Sequence, residues 1–458
     1  MNVVDAAVSK NMPRWLEDLS QLVQIPSVSW AAFDQALVGE SAEAVMALFS
    51  RTGLFDSISL EQSLCDDDLT LGNPAILARR DPRNGAPTVL LYAHHDVQPP
   101  GEEDEWNTQP FLPTIIGDRM FGRGAADDKA GIVSHLASLQ ILQELSDSLD
   151  LGIVLYIEGE EEAGSPSFGN FLKDHAERLA SDVIIVADSG NFTESIPALT
   201  VSLRGNVTLN LTVSTLDHAV HSGMFGGVVP DAFMALSVLV ASFYDESGAV
   251  SIPGVTSFTM PTPEYTEETL REESGLLPGV EPIGSGQYLH RIWSQPSLTV
   301  TGTNMPSLAH ASNTLSPSVT VRLSMRVAPG QLASDAARAL VEHIEKNAPF
   351  GARVNISDVA AGEGYLADVT GSAALVMRDA MTQAWKVPPV DIGVGGSIPF
   401  ISQFTQQFPN AQVLVTGVED PDSRAHSPNE SLHLGAFAKA IAAQSLFLLE
   451  LNDAKSRD

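Results

Sequence analysis

Four short apolar runs punctuate the chain: Val89–Tyr92, Ile153–Ile157, Val183–Val186 and Val413–Val415. Runs of this length and composition predict central strands buried on both faces. Helical patterns lie between and before them. Lys129 to Leu145 sets Ile132, Val133, Leu136, Leu139, Leu142 and Leu145 on one side, and Met12 to Val23 carries Trp15, Leu16, Leu19, Leu22 and Val23 at helical spacing. Strands alternating with helices predict βαβ units and a largely parallel sheet. From about Leu203 the texture changes. Asn206 to Ser214 alternates through Val207, Leu209, Leu211 and Val213, and Val319 to Val327 alternates through Val321, Leu323 and Met325. That period of two predicts half-exposed strands of an antiparallel sheet. Between them come a helical segment near Ala232–Phe243 and an irregular Pro/Gly/Glu-rich stretch from Ser251 to Gly286, and the α/β texture resumes near Gly364. The predicted organisation is an α/β domain over 1–199 and 361–458, interrupted by an inserted α+β domain over 200–360.

Composition narrows the classes. At 458 residues the chain exceeds one ordinary core, in keeping with two domains. Apolar residues at 44% and charged ones at 18% describe a globular protein. No uninterrupted run of about 18 apolar residues predicts a membrane span. Met1-Asn2-Val3-Val4-Asp5 lacks the basic and apolar regions of a secretory signal. The single cysteine, Cys65, leaves no internal disulfide framework and suits a reducing compartment, so the expected location is cytoplasmic. The balance of 25 basic against 57 acidic residues argues against nucleic acid or an anionic membrane as partner. Most of that acid excess reads as solvated surface, and local sequence singles out the carboxylates that converge on cations.

Those carboxylates stand where the apolar runs stop. Val89–Tyr92 leads into Ala93-His94-His95-Asp96, placing an imidazole and a carboxylate at the carboxyl end of a strand, where α/β sheets bind ligands. A carboxylate beside a histidine also fixes the tautomer of a metal-binding imidazole. Gly122-Arg123-Gly124-Ala125-Ala126-Asp127-Asp128 is a glycine-bearing loop that sets Asp127 at a helix start, where a carboxylate is electrostatically welcome. The Ile153–Ile157 run enters Glu158-Gly159-Glu160-Glu161-Glu162, whose adjacent carboxylates repel one another unless a cation neutralises them. Val183–Val186 ends at Asp188, and Val413–Val415 leads through Gly417 to His426. Each of these alone has a bland explanation, such as an N-cap, a solvated turn or a structural histidine. Five of them, His94, Asp127, Glu162, Asp188 and His426, placed beyond the strands or loops of one sheet, predict convergence on one edge. Two imidazoles and three carboxylates without a cysteine suit Zn²⁺ and also allow Mn²⁺ or Co²⁺. One carboxylate bridging two ions roughly 3.5–4 Å apart is the usual two-metal hydrolytic arrangement.

The same segments resemble the metallopeptidase family of carnosinase, cytosolic non-specific dipeptidase, acetylornithine and succinyl-diaminopimelate deacylases, and carboxypeptidase G. The likeness runs in order along nearly the whole chain, through YAHHDVQP, GRGAADDK, EGEEEAGSP, the Asp188 segment, Leu203-Arg204-Gly205, HSGMFGG from His221, GGSIP from Gly395 and AHSPNE from Ala425. GRGAADDK, HSGMFGG and GGSIP are together similar to the dipeptidase branch more than to the deacylases. The resemblance implies a di-zinc exopeptidase-like catalytic domain with an inserted lid and dimerisation domain. It implies that Asp127 bridges two ions, that His94 and Asp188 complete one site and Glu162 and His426 the other, and that Asp96 orients His94. Glu161 would be the general base and Glu160 a bystander. His221, reaching in from a partner subunit, would stabilise the oxyanion. Arg326 would clamp the substrate carboxylate, with Asn313 and Thr314 on the same lid and Gly396, Ser397 and Ile398 offering backbone N–H groups. The expected assembly is a homodimer formed through the inserted domain. One departure is that Val394-Gly395 stands where family dipeptidases often carry an acidic residue.

The chemistry implied is hydrolysis of a dipeptide by a metal-bridged hydroxide, Cys-Gly-like substrates included. An N-acyl-amino-acid amidohydrolase on the same metal centre is the second expectation, and a silent binding protein on a hydrolase fold the third. Serine chemistry at Ser165 or Ser397 is disfavoured because neither lies in a Gly-x-Ser-x-Gly elbow.

Overall fold

The computed structural model of the chain describes residues 3–395 and 399–453. They form two compact units. One comprises Met1–Val201, Ala367–Asp391 and Gln403–Asp458, the other Ser202–Leu366 and Ile392–Ser402.

The first unit begins with α1 (Val3–Val23), α2 (Ala36–Ser50), β1 (Ser57–Glu61), β2 (Ala75–Arg80) and β3 (Thr88–His94). A hairpin of β4 (Thr114–Ile116) and β5 (Arg119–Phe121) precedes α3 (Lys129–Leu145) and β6 (Gly152–Glu158). Next come α4 (Phe168–Asp174), α5 (Ala176–Leu179), β7 (Val183–Val186) and β8 (Ala198–Leu203), which leads out of the unit. The second unit contains β9 (Gly205–Ser214), β10 (Val220–His221), α6 (Ser222–Phe225), α7 (Ala232–Ala241), α8 (Glu267–Ser274), α9 (Tyr288–Trp293) and β11 (Ser297–Thr303). It continues through β12 (Thr314–Leu315), β13 (Ser318–Val327), α10 (Ala333–Asn347), β14 (Arg353–Gly362) and β15 (Tyr365–Leu366). The chain returns as α11 (Ser372–Trp385), β16 (Val390–Val394), α12 (Pro399–Gln407), β17 (Gln412–Val415), β18 (Ser431–His433) and α13 (Leu434–Asp453).

In the first unit the strands run in the order β1-β2-β6-β3-β7-β17-β8. The sheet is mixed. β6, β3, β7 and β17 are mutually parallel, whereas β1, β2 and β8 pair antiparallel at the flanks. The parallel character predicted from the four apolar runs therefore belongs to the four strands they form. β3 and β6 are buried over their whole length, which is why each reads as an unbroken apolar run. Register aligns their carboxyl ends: His94 faces Glu158, Tyr92 faces Val186, and Val186 faces Val415.

α13 packs on α3 and α11 through a face that includes Phe437, Ile441 and Phe447. Its 20 residues, with mean hydropathy 1.4 over the most apolar window, are long and apolar enough to cross a membrane by length and composition. Half of that window is buried inside the structure, as in the core helix of a folded unit. α1 begins nine residues before the amphipathic segment at Met12, because Val4, Ala7 and Val8 extend its buried face beyond Pro13.

The second unit holds the antiparallel sheet β11-β13-β9-β14. β9 buries every other residue, and Val207, Leu209, Leu211 and Val213 join Val321, Leu323 and Met325 against Leu236 and Leu239 of α7 and Leu340 and Ile344 of α10. The Pro/Gly/Glu-rich stretch is not wholly irregular. Thr266 caps α8 by accepting from the Thr269 N–H, and Gly275 ends the helix in the left-handed conformation.

Candidate metal centre

The four parallel strands deliver polar residues to one edge. His94 ends β3, fully buried, with Nε2 3.1 Å from Asp127 Oδ1 and 4.0 Å from Asp188 Oδ1. On the other side of Asp127, Oδ2 lies 3.0 Å from His426 Nε2, which in turn lies 3.2 Å from Glu162 Oε2. Two triads result, His94–Asp127–Asp188 and Asp127–Glu162–His426, each with its candidate ligand atoms within 4.8 Å of one another. Asp127 belongs to both. The five residues predicted to converge do so.

Asp96 does more than orient an imidazole. Its Oδ1 lies 3.4 Å from His94 Nδ1, which is also 3.1 Å from the Asp96 carbonyl. The same carboxylate accepts the main-chain N–H groups of Glu161 at 3.2 Å and Glu162 at 3.0 Å, and the Ser29 hydroxyl at 2.7 Å. One buried carboxylate thus fixes a side chain of the first triad and the backbone of the second. Glu161 and Glu162 open a short 3₁₀ turn that closes on Gly164 in the left-handed region. Glu160 is buried and points to neither triad. It accepts from Ser167 N at 2.7 Å, Ser167 Oγ at 2.5 Å and Asn73 N at 2.9 Å, bracing the loop.

Packing so many acids together perturbs them. Burial, then the charge of Asp127, pushes Glu162 up to about 7, and burial lifts Asp188 to about 6. Burial and the Asp188 charge hold Glu161 well above the usual carboxylate range. Desolvation opposes ionisation of Asp127 as well, but hydrogen bonds from His426 and His94 hold it below its ordinary value. Those bonds to Asp127 and Glu162 raise His426 to about 11. The imidazoles thus keep protons to balance buried carboxylates, a task a divalent cation performs better, since it takes neutral imidazole and ionised carboxylate together. Glu162 Oε1 is buried and has no hydrogen-bond partner. Nitrogen and oxygen donors without sulfur, an orphaned buried carboxylate oxygen and two triads sharing one residue fit a pair of divalent ions.

The profile of the peptidase family M20/M25/M40 matches residues 90–450. The chain belongs to that family. A cysteinylglycine-S-conjugate dipeptidase of Corynebacterium striatum is 32% identical over 447 residues, 96% of each chain. A Cys-Gly metallodipeptidase of Schizosaccharomyces pombe is 28% identical over 97% of each. Among solved structures, a dipeptidase from Saccharomyces cerevisiae matches with TM-score 0.79 at 24% identity over 98% of each chain. Human carnosine dipeptidase 1 matches with TM-score 0.78 at 22% identity, again over 98% of each. The M20/M25/M40 fold, with its α/β unit and inserted α+β unit, is the fold of this chain.

Several residues that hold this family member's centre together are silent in the sequence. Glu430, fully buried, accepts from Gly124 N at 3.0 Å, Ala126 N at 2.9 Å and Asp127 N at 3.1 Å, and pairs with Arg123 Nη1 at 2.6 Å. Arg123 also donates to the Pro99 and Ser427 carbonyls, both at 3.3 Å. Pro99 lies beyond the His94 strand and Ser427 follows His426, so one ion pair ties the loops of three candidate ligands. Gln98 donates to Glu162 Oε2 at 2.6 Å, and Asp128 accepts the His94 N–H at 3.2 Å. The only local signals were the AHSPNE and GRGAADDK strings themselves, which do not say what each residue touches.

The remaining candidates lie in the second unit. His221 pairs with Thr314 in the β10–β12 ribbon, and the Ser222 N–H donates to the Asn313 carbonyl at 3.0 Å, so these three are brought together. His221 is exposed and its Nδ1 accepts the Gly223 N–H at 3.0 Å. Arg326 sits on β13 opposite Asn206 and Ser297. It lies close enough to the buried Arg204 guanidinium to help burial lower that group to about 10. Gly396, Ser397 and Ile398 lie outside the described residues.

Proposed function

We propose that this protein is a two-metal dipeptidase that hydrolyses the peptide bond of free dipeptides, Cys-Gly-like ones among them. The observation that carries the proposal is the pair of triads sharing Asp127, in a chain whose relatives over nearly full length are Cys-Gly dipeptidases. His94 and Asp188 with Asp127 would hold one ion, and Glu162 and His426 with Asp127 the other. Zn²⁺ suits these donors, with Mn²⁺ and Co²⁺ also accommodated. Such ions acidify a water and polarise the scissile carbonyl.

The chain's own residues perform the rest. Glu161 accepts a proton at its carboxylate and hands it to the leaving amine, a task helped by the raised affinity for protons that burial gives it. Asp96 keeps the His94 ring in place. His221 of a partner subunit would donate to the oxyanion. Arg326 would take the substrate's carboxylate, with Asn313 and Thr314 on the same lid and Gly396, Ser397 and Ile398 offering it backbone N–H groups. The homodimer this requires is supported by apolar side chains exposed around α6 and α7, namely Met224, Phe225, Val228, Phe233 and Met234. A cytoplasmic location accords with the single buried cysteine.

The test is turnover of a mixed panel of free dipeptides and N-acyl amino acids by protein loaded with Zn²⁺ or Mn²⁺, beside a chelated control. Cleavage of free dipeptides, abolished by chelation, is expected. Cleavage confined to N-acyl compounds would instead make the protein an amidohydrolase on the same centre.

A further inference from the structure

The second unit contains a cleft of about 540 Å³ that the dipeptidase reading does not use. Tyr244, Ile292 and Leu298 form one wall, and Leu270, Val280 and Ile283, from α8 and the segment after it, form the other. Its volume falls in the range of sites that enclose small molecules, and such sites are mostly apolar with a few placed polar groups.

The second wall is braced without closing on the first. Thr266 and Gly275 cap the two ends of α8, Arg271 Nη2 donates to the Val280 carbonyl at 2.9 Å, and Arg291 Nη2 donates to the Gly286 carbonyl at 3.0 Å. Yet α8 buries none of its residues, and Val280 and Ile283 are 45% and 70% exposed. Polar groups hold this segment in place while its apolar side chains stay in water, which leaves apolar surface for a ligand.

Arg204 lines the same cleft and is only 8% exposed. Its Nε donates to the Gly395 carbonyl at 3.1 Å, and its Nη1 donates to the Gln295 carbonyl at 3.1 Å and to Ser297 Oγ at 3.3 Å. Those acceptors are all neutral, and Nη2 donates to nothing among the described residues. A Cβ at Gly395 would come within 2.9 Å of Nη2, so the glycine keeps space beside that nitrogen. Ile292 borders the same point, with its carbonyl at 3.2 Å and Cγ2 at 3.5 Å, which joins this space to the first wall.

No acid compensates the guanidinium. Burial, then repulsion from Arg326, acts on it. Ions held in the two triads would be cations as well and bring no counter-charge. Arg291 adds a second cation to the lining, its Nε buried without a hydrogen-bond partner, whereas Glu281 on the lining is exposed. A buried charge without a partner is costly, and an anionic ligand relieves that cost. With one nitrogen of the fork left to donate, a carboxylate suits the place better than a phosphate, whose oxygens call for more donors.

Going beyond the dipeptidase reading, we propose that this cleft binds an amphipathic carboxylate, its head group at Arg204 Nη2 and its apolar body between the two walls.

Calorimetric titration with octanoate, 1-octanol and acetate tests this, using the metal-loaded chain and the same chain after chelation. Wild type is compared with Arg204→Lys, Arg204→Gln and Leu270→Glu. Octanoate is expected to bind at one site per chain, about tenfold or more tighter than either octanol or acetate, with or without metal. Arg204→Gln and Leu270→Glu should each weaken it about tenfold, and Arg204→Lys, which keeps the charge, should weaken it less. Octanol binding as tightly as octanoate removes the head-group site, and acetate binding as tightly removes the walls; either overturns the proposal. Binding that disappears on chelation belongs to the metal centre and overturns it too. So does undiminished affinity in Arg204→Gln or Leu270→Glu, or no saturable binding at all. Turnover of dipeptides decides none of these outcomes, so the two proposals fail separately.

Discussion

In the first unit the strands that lead to chemistry are buried along their whole length, and polar residues come where they stop: β3 to His94, β6 to Glu158. In the second unit β9 and β13 alternate, so polar groups are spread along one face and the candidate residues His221, Asn313 and Thr314 sit exposed on a short ribbon. The first arrangement surrounds His94, Asp127 and Glu162 with further hydrogen bonds. Asp96, Asp128, Gln98 and Glu430 all act on the backbone or side chain of a residue in the triads. Among the described residues the His221 side chain takes a local hydrogen bond, from Gly223 N. The lesson is that metal ligands have to be held before the ion arrives, because buried like charges repel, whereas groups that meet only the substrate can stay in water until it binds.

Substitutions in the two regions should therefore separate. The largest effect is expected from Glu161→Gln, which should lower kcat by about 10²–10⁴-fold while leaving bound metal unchanged. Near wild-type turnover with two ions bound would remove Glu161 from the role of base. His221→Ala should cost about 10²–10³-fold in kcat, again with full metal content. Wild-type rates in that variant, or full activity in a protein that sedimentation shows to be monomeric, would end the proposal of a donor from a partner subunit.

Glu430→Gln tests the loop clamp rather than the chemistry. Its carboxylate accepts three N–H groups and an arginine, and an amide cannot accept all four, so metal affinity should fall about 10–100-fold by chelator competition. Activity should return at excess metal. If affinity is unchanged and only the melting temperature drops, Glu430 supports the fold and not the site. The smallest effect belongs to Asp231→Ala in the second unit. Asp231 caps α7 through the N–H groups of Phe233 and Met234, and its loss should cost about 1 kcal/mol in chemical unfolding without touching metal binding.

Much of this was legible in the residues. Lys129–Leu145 is the helix its apolar spacing predicts, and β7 is the run Val183–Val186. Of the five candidate ligands, His94, Glu162 and Asp188 were readable because an apolar run that leads into acids or an imidazole is a local signal, whereas Asp127 was marked by a glycine-bearing loop at a helix start and His426 by the string that follows Val413–Val415. α8 was not readable, because Glu267–Ser274 buries no residue and therefore carries no apolar stripe. The cleft beside Arg204 was likewise silent, since nothing in a loop sequence tells an apolar side chain that packs inward from one that stays exposed.

The sequence by itself determined which strands would be buried and which residue types would stand at their ends, because backbone pairing and side-chain burial leave their period in the order of residues. Only the tertiary structure decided that the Glu430 carboxylate would close on the loop of Asp127, across 303 positions of sequence, and that the Trp30 indole would reach the carbonyl of Glu162 across 132. Such contacts depend on where loops meet in space, and a lone glutamate or tryptophan in a loop carries no periodic signal of what it will touch.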